Sequence, residues 1–204
     1  MMKQNSELRA QARAALQGKW IMAAVAALIY SAIAGGLSSI PFLGWIGSLI
    51  IGLPVGYGFV ILMFGVIKGV DEIDLGILFE GFQDFSRILG TKLLQTIYTL
   101  LWSLLLVIPG IIKCYSYALT DYILKENPEL RNNAAIEKSM AMMAGHKMKL
   151  FLLDLSFIGW AILCLFTLGL GLLFLQPYMQ VSRAAFYEDL KLELGIGNAE
   201  EVNA

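Results

Sequence analysis

Charged side chains along this chain are confined to four short islands separated by long apolar runs. Lys, Arg, Asp and Glu fall within 3–19, 68–92, 121–154 and 183–201, and Lys113 alone stands clearly outside them. A helix bathed in water needs a polar face along its whole length. This segregation therefore predicts lipid as the solvent for most of the chain. A spanning helix takes about 20 mostly apolar residues, and the runs 20–40 and 45–67 meet that length, with Pro41 and Gly44 marking a turn between them. The run 93–124 is too long for one span, and Pro109-Gly110 interrupts it, because proline removes a backbone donor and its ring collides with the preceding turn. The run 150–186 is interrupted by Thr167, Gly169 and Gly171, and later by Pro177. The pattern predicts an all-α polytopic membrane protein with six helices, roughly 20–40, 45–67, 92–108, 110–125, 149–167 and 170–190. They pair as three hairpins in a single membrane domain, with a polar tail at 191–204.

A weak internal repeat supports that count. Each hairpin follows a Gly and a Lys, in Gly18-Lys19, Gly90-Thr91-Lys92 and Gly145-His146-Lys147. Each second helix carries an aromatic beside small or turn residues, in Gly56-Tyr57-Gly58, Tyr115-Ser116-Tyr117 and Pro177-Tyr178. The islands 1–19, 68–91 and 126–148 read as short amphipathic interfacial helices. Leu8, Ala12, Ala15 and Leu16 share one face in the first. Leu75, Leu78, Phe79, Phe82, Phe85 and Leu89 recur at three and four in the second, and Ile136, Met140 and Met143 in the third, where Asn132 or Asn133 can cap. Such faces suit lipid headgroups, the protein's own core or a partner. With six spans, both termini and both charged loops share one side, which then holds every basic residue except Lys113. The excess of Lys and Arg on cytoplasmic loops places that side, and both termini, in the cytoplasm. The apolar run from Trp20 exceeds a signal-peptide core, so a retained span is expected.

Composition agrees. The chain has 204 residues, 58% hydrophobic and 15% charged, against about 25% charged in ordinary globular domains. The net charge of −1 makes no electrostatic case for nucleic acid. Cys114 and Cys164 lie in apolar runs and read as buried small hydrophobes. With His146 the only histidine, no metal-ligand spacing exists, and no metal or cofactor is expected. Phosphate loops, dinucleotide fingerprints and nucleophile elbows are absent from the sequence, and no catalytic residues are assigned.

The polar groups that need explaining are few. Lys113 is expected about one turn inside the fourth helix on its outer side. It either snorkels to the interface or lines an outward-facing cavity with Tyr115, Ser116 and Tyr117. Asp121, Asp154 and Arg183 each lie inside an apolar helix near the cytoplasmic side. They suggest an ion network joining helices four to six, which serves either as a clamp or as a relay. Gly52…Gly56, Gly65…Gly69 and Ser31…Gly35 are spaced for close helix contact. Pro54 favours a kink in the second helix.

The second half also carries a resemblance. The run Ile108-Pro109-Gly110-Ile111-Ile112-Lys113, then Tyr115-Ser116-Tyr117 and Asn127-Pro128, is similar to the DUF975 family of bacterial integral membrane proteins. So are Met142-Met143 with Gly145-His146-Lys147, the stretch Leu153-Asp154-Leu155-Ser156-Phe157-Ile158-Gly159-Trp160, and the segment from Pro177-Tyr178-Met179 to Ala184-Ala185-Phe186-Tyr187. The resemblance covers about residues 85–190 and implies a protein of the bacterial cytoplasmic membrane, with no catalytic residues to transfer. The expected role is non-enzymatic, binding or moving a lipid-like or small amphipathic molecule, or supporting another membrane component. The alternative is a membrane-embedded enzyme acting on lipid. The expected partners are membrane lipids, with a membrane protein or a second copy of the chain as further candidates.

Overall fold

The computed structural model describes residues 2–39 and 44–196, and these are all-helical. Helix α1 (Asn5–Ala15) leads into α2 (Trp20–Ser38). A short α3 (Gly44–Gly47), a π-helical turn (Ser48–Gly52) and α4 (Leu53–Ile67) follow. The wide turn ends just ahead of Pro54, which has no N–H to offer the turn before it. A 3-10 helix (Leu75–Phe82) precedes α5 (Phe85–Leu105), α6 (Val107–Ser116), α7 (Thr120–Glu126) and α8 (Asn133–Met142). The chain closes with α9 (Lys147–Leu155), α10 (Ile158–Phe166) and α11 (Leu172–Leu194). The expected turn at Pro41 and the tail beyond 196 lie outside the described residues.

Three segments are long and apolar enough to cross a membrane: Trp20–Leu37, Gly44–Ile67 and Phe85–Leu105. Two of the other expected spans are divided, and the third is continuous but carries charge. The stretch 110–125 divides into α6 and α7 around Tyr117–Leu119. There Ser139 of α8 enters the break, accepting the Leu119 N–H at 3.2 Å and donating to the Ser116 carbonyl at 2.8 Å. A side chain inserted into the ladder breaks a helix in this way. The stretch 149–167 divides into α9 and α10 at Ser156-Phe157. Helix α11 runs continuously through Pro177 and extends four residues into the expected tail, ending at Gly195 with φ +70°.

The turn of the second hairpin sits at Leu106, which is extended (φ −161°, ψ 140°), and not at Pro109-Gly110. A proline ring collides with the carbonyl four residues earlier. For Pro109 that is Leu105, the last residue of α5. Pro109 itself lies in the first turn of α6, where no N–H is required. Gly110 closes the hairpin, since a Cβ there would lie 2.4 Å from Ser103 Oγ.

The proposed repeat holds only in part. Gly18 and Gly145 take left-handed φ of +76° and +82° and end one helix just before the next begins. Gly90 instead lies within α5, where a Cβ would meet Asn132 Oδ1 at 2.9 Å, so it makes room for the loop ahead of α8. Asn132 begins α8, but its side chain makes no cap; its N–H is held by Thr91 Oγ1 at 2.9 Å.

The first and third amphipathic islands bury apolar faces in the protein's own core. Leu8, Ala12 and Leu16 of the first are fully buried, as are Ala135, Ile136 and Met143 of the third. The second island has a period of three. In a 3-10 helix residues i and i+3 eclipse, so Leu75, Leu78 and Gly81 form the inward row. Phe79, Phe82 and Phe85 form an outward row, with ring centroids 6.4 and 5.9 Å apart. The inward row meets α4 at backbone distance. A Cβ on Gly58 would sit 2.1 Å from the Leu78 carbonyl, and one on Gly81 2.4 Å from the Pro54 carbonyl. The expected Gly52…Gly56 pair shows only ordinary contacts, at 3.7–3.9 Å.

Phe64, Tyr122 and Tyr187 form a packed aromatic triad with centroids 5.0–5.7 Å apart. It is tied to a polar latch where Glu126 accepts from the Tyr187 hydroxyl at 2.7 Å, from Lys191 at 2.8 Å and from Lys68 at 3.0 Å. Burial opposes the Glu126 charge, but these three donors outweigh it and hold its carboxyl below the usual range.

Candidate functional site

The site forms where α4, α5, α7, α9 and α11 meet below the hairpin tips. Lys92, one turn beyond the buried Ile88 on α5, donates to both oxygens of Asp121 on α7 at 2.9 and 3.0 Å. Arg183 on α11 makes a two-pronged pair with Asp154 on α9, at 2.9 and 2.7 Å. The Tyr115 hydroxyl of α6 donates to Asp154 Oδ2 at 3.1 Å. Lys92, Asp121 and Asp154 are only 16%, 12% and 11% exposed. Four charges balance to zero, and every carboxylate oxygen has a donor. Buried ions persist only when paired and hydrogen-bonded in this way.

Both pairs line cavities. One, of about 400 Å³, is bounded by Tyr30 and Gly56 of the first hairpin and by Gln176 of α11. A second, of about 340 Å³, is bounded by Gln95, Cys114 and Tyr115. Lys92, Asp121, Gln180, Arg183 and Val60 belong to both walls. A third hollow, of about 370 Å³, continues from Lys92 and Gln95 along α5 past Thr96 and Thr99 to Ser103. Those five positions give one side of a candidate span a polar stripe, about 17 Å long at 1.5 Å per residue from Lys92 to Ser103. The threonine and serine hydroxyls donate to their own i−4 carbonyls, which leaves their oxygen lone pairs to accept. Gln176 Oε1 and Gln95 Oε1 are buried without a donor, and an unmet buried acceptor costs about 1–3 kcal/mol. A polar ligand group or ordered water in the cavity would meet that need.

The residues singled out from sequence divide. Asp121, Asp154, Arg183 and Tyr115 come together here, although Asp121 takes its own cation instead of sharing Arg183. Lys113 lies elsewhere. Its ammonium sits over the Trp102 ring, 4.9 Å from the centroid, and 3.9 Å from Met140 Sδ. Lys113 and α8 are thus neighbours, which corrects the expectation that they occupy opposite faces; the insertion of Ser139 into the α6–α7 break brings α8 alongside. Ser116 is buried and donates to the Ile112 carbonyl at 2.9 Å, with no contact to Lys113 that would make a nucleophile and base. Tyr117 is buried and offers its carbonyl to Gln95 Nε2 at 3.4 Å. Cys164 is buried as expected, whereas Cys114 is exposed on the cavity wall.

Lys92 is the principal residue that sequence reasoning passed over, because it looked like the basic start of a hairpin. Charge balance was the available signal: two carboxylates and one guanidinium leave one negative charge unmatched in an apolar setting. Among the described residues no group of acidic, His and Cys side chains is placed to hold a metal ion.

The fold and site therefore define an all-helical protein with three membrane-length apolar segments and partly open cavities lined by two balanced ion pairs. The sequence model of DUF975, described as a protein of unknown function, matches residues 104–193, in agreement with the motif resemblance. That segment contains Asp121, Asp154, Arg183 and Tyr115 but not Lys92. No curated protein and no solved structure matches the chain.

Proposed function

We propose that this chain is a multi-pass protein of the bacterial cytoplasmic membrane, with six spanning segments paired as three hairpins and both termini in the cytoplasm. In this reading it binds or moves a small amphipathic or lipid-like molecule, with membrane lipids as its surroundings. Apart from Lys113, which packs beside α8, the basic residues fall in the segments that this topology gathers on one side, and that supports the orientation. The tips of the second and third hairpins, at Leu104–Ile108 and Phe166–Leu170, are among the most exposed apolar positions of the chain, as lipid contact requires.

The observation that carries the role is the cavity system. Two ion pairs, the second closed by the half-buried Arg183, share its walls, a polar stripe leads from it along α5, and apolar surface flanks the stripe. A molecule with a polar head and an apolar body has a place for each part there. The zero net charge of the four ions favours a head that is neutral or zwitterionic over one with a single strong charge.

The test is extraction and profiling of lipids and amphiphiles retained by the purified protein, with Lys92→Met/Asp121→Leu prepared in parallel. That double variant leaves no orphan charge. We expect a species enriched with the wild type and depleted from the variant, and identical extracts would overturn the role. Topology is tested separately with an impermeant amine reagent on intact cells. Modification of Lys138 or Lys147 from outside would overturn the orientation.

A further inference from the structure

We propose a second, separate site: a slot for one phospholipid with an anionic headgroup, between α1, α2, α10 and α11. The inference rests on reading Trp20–Leu37 as a span and is independent of the ion-pair cavity. The slot has a volume of about 360 Å³, within the usual range for small-molecule sites of about 300–1,000 Å³. Its wall is apolar along Trp160, Cys164, Phe174 and Leu175, and Trp20 and Tyr178 stand at one end. Arg13 is the one charged residue lining it.

The end marked by Arg13 is built for a phosphate ester. Arg9 and Arg13 are one turn apart on α1, so they project from the same face. Tyr178 joins them: its hydroxyl accepts from Arg13 at 3.5 Å and donates to the Arg9 carbonyl at 3.3 Å. Among the described residues neither arginine forms an ion pair; Arg9 reaches only the Ser156 carbonyl at 3.5 Å and Arg13 only the Tyr178 hydroxyl, so both charges lack a carboxylate. Arg9 also buries its Nε with no acceptor. The Trp20 and Tyr178 rings meet edge to face at 5.9 Å at the start of α2, where indole and phenol groups mark the headgroup level of a bilayer. Two uncompensated cations, an interfacial aromatic pair and an apolar slot beyond them match, in order, the phosphate, glycerol and acyl regions of one lipid. Guanidinium is the side chain best suited to a phosphate by geometry.

The experiment uses full-length protein in vesicles, with Trp45→Phe and Trp102→Phe so that Trp20 and Trp160 report. Its lipids carry brominated acyl chains, either phosphatidylglycerol or phosphatidylcholine, and quenching is followed against mole fraction. We expect phosphatidylglycerol to quench at a several-fold lower mole fraction. Each arginine contributes a factor of about five near an anionic surface, so Arg9→Gln/Arg13→Gln should abolish the preference while circular dichroism shows unchanged helix. Equal curves in the parent protein, or a preference that survives both substitutions, would overturn the site. Soluble glycerol phosphate should leave the preference intact; displacement by it would show an anion site without a place for the chain. Absence of quenching by either lipid would remove the span reading together with the slot, whereas the ion-pair cavity is judged only by the retained-ligand profiles.

Discussion

Removing one member of the Lys92–Asp121 pair tests the central electrostatic argument. The ammonium is 2.9 Å from the nearer oxygen, and the side chains are 16% and 12% exposed. At an effective dielectric of 20, unit charges at that separation attract by about 6 kcal/mol. Desolvating each ion costs several kcal/mol, so the pair as a whole contributes little. A lone survivor keeps its desolvation cost and loses the attraction, which amounts to about 3–5 kcal/mol. We therefore expect Lys92→Met and Asp121→Leu each to lose about 3–5 kcal/mol of unfolding free energy. The double variant should lose less than either single one, so the coupling in the cycle should be at least about 3–5 kcal/mol. The measurement is reversible unfolding in bicelles by denaturant titration, with tryptophan fluorescence and circular dichroism as paired probes. Additive losses, or single variants within about 0.5 kcal/mol of wild type, would refute the view that these ions depend on each other.

Other outcomes follow from particular contacts. Gly58→Ala and Gly81→Ala force α4 and the 3-10 helix to move apart by more than 1 Å from their present approach; each should cost about 1–3 kcal/mol or more, and an unchanged thermal midpoint would contradict the close contact. The Glu126 carboxyl is depressed in the folded state, so its contribution is present above the unfolded-state value and disappears as pH falls through the lower folded value. Thermal midpoints should thus drop as pH is taken below about 4.5, and Glu126→Gln should flatten that limb of the curve. Lys68 is shifted the opposite way: burial lowers it, but Glu188 and Glu126 raise it further. Its share is therefore present at neutral pH and lost only as pH rises above about 10.5. Lys113→Ala should cost only about 0.5–2 kcal/mol, the worth of a cation over an aromatic ring; a loss above about 3 kcal/mol would reveal a buried counter-charge at Lys113.

Much of the helical layout was legible from one-dimensional signals. The two apolar helices at 20–38 and 44–67, the glycine-rich turn at Thr167–Gly171 and the inward faces of the islands 1–19 and 126–148 follow from apolar length and from spacing at three and four. These are local properties, and local backbone physics decides them. The break at Leu106 was legible in kind but misplaced, because the collision that ends α5 acts four residues before Pro109. The period of the 3-10 segment was misread because Leu75, Leu78, Phe79 and Phe82 fit spacings of both three and four, and only the backbone contact with Gly58 selects the tighter helix.

Sequence alone determined which segments are apolar, where the ions cluster, and that Asp121, Asp154 and Arg183 needed partners inside an apolar setting. The tertiary structure alone decided the pairing: Lys92 for Asp121, Tyr115 as a third donor to Asp154, and Lys113 turned away to Trp102. It also decided that Ser139 would divide α6 from α7 and draw α8 against Lys113. Pairing depends on distances between helices far apart in the chain, and an apolar helix that buries a charge constrains its need for a partner without specifying which neighbour supplies it.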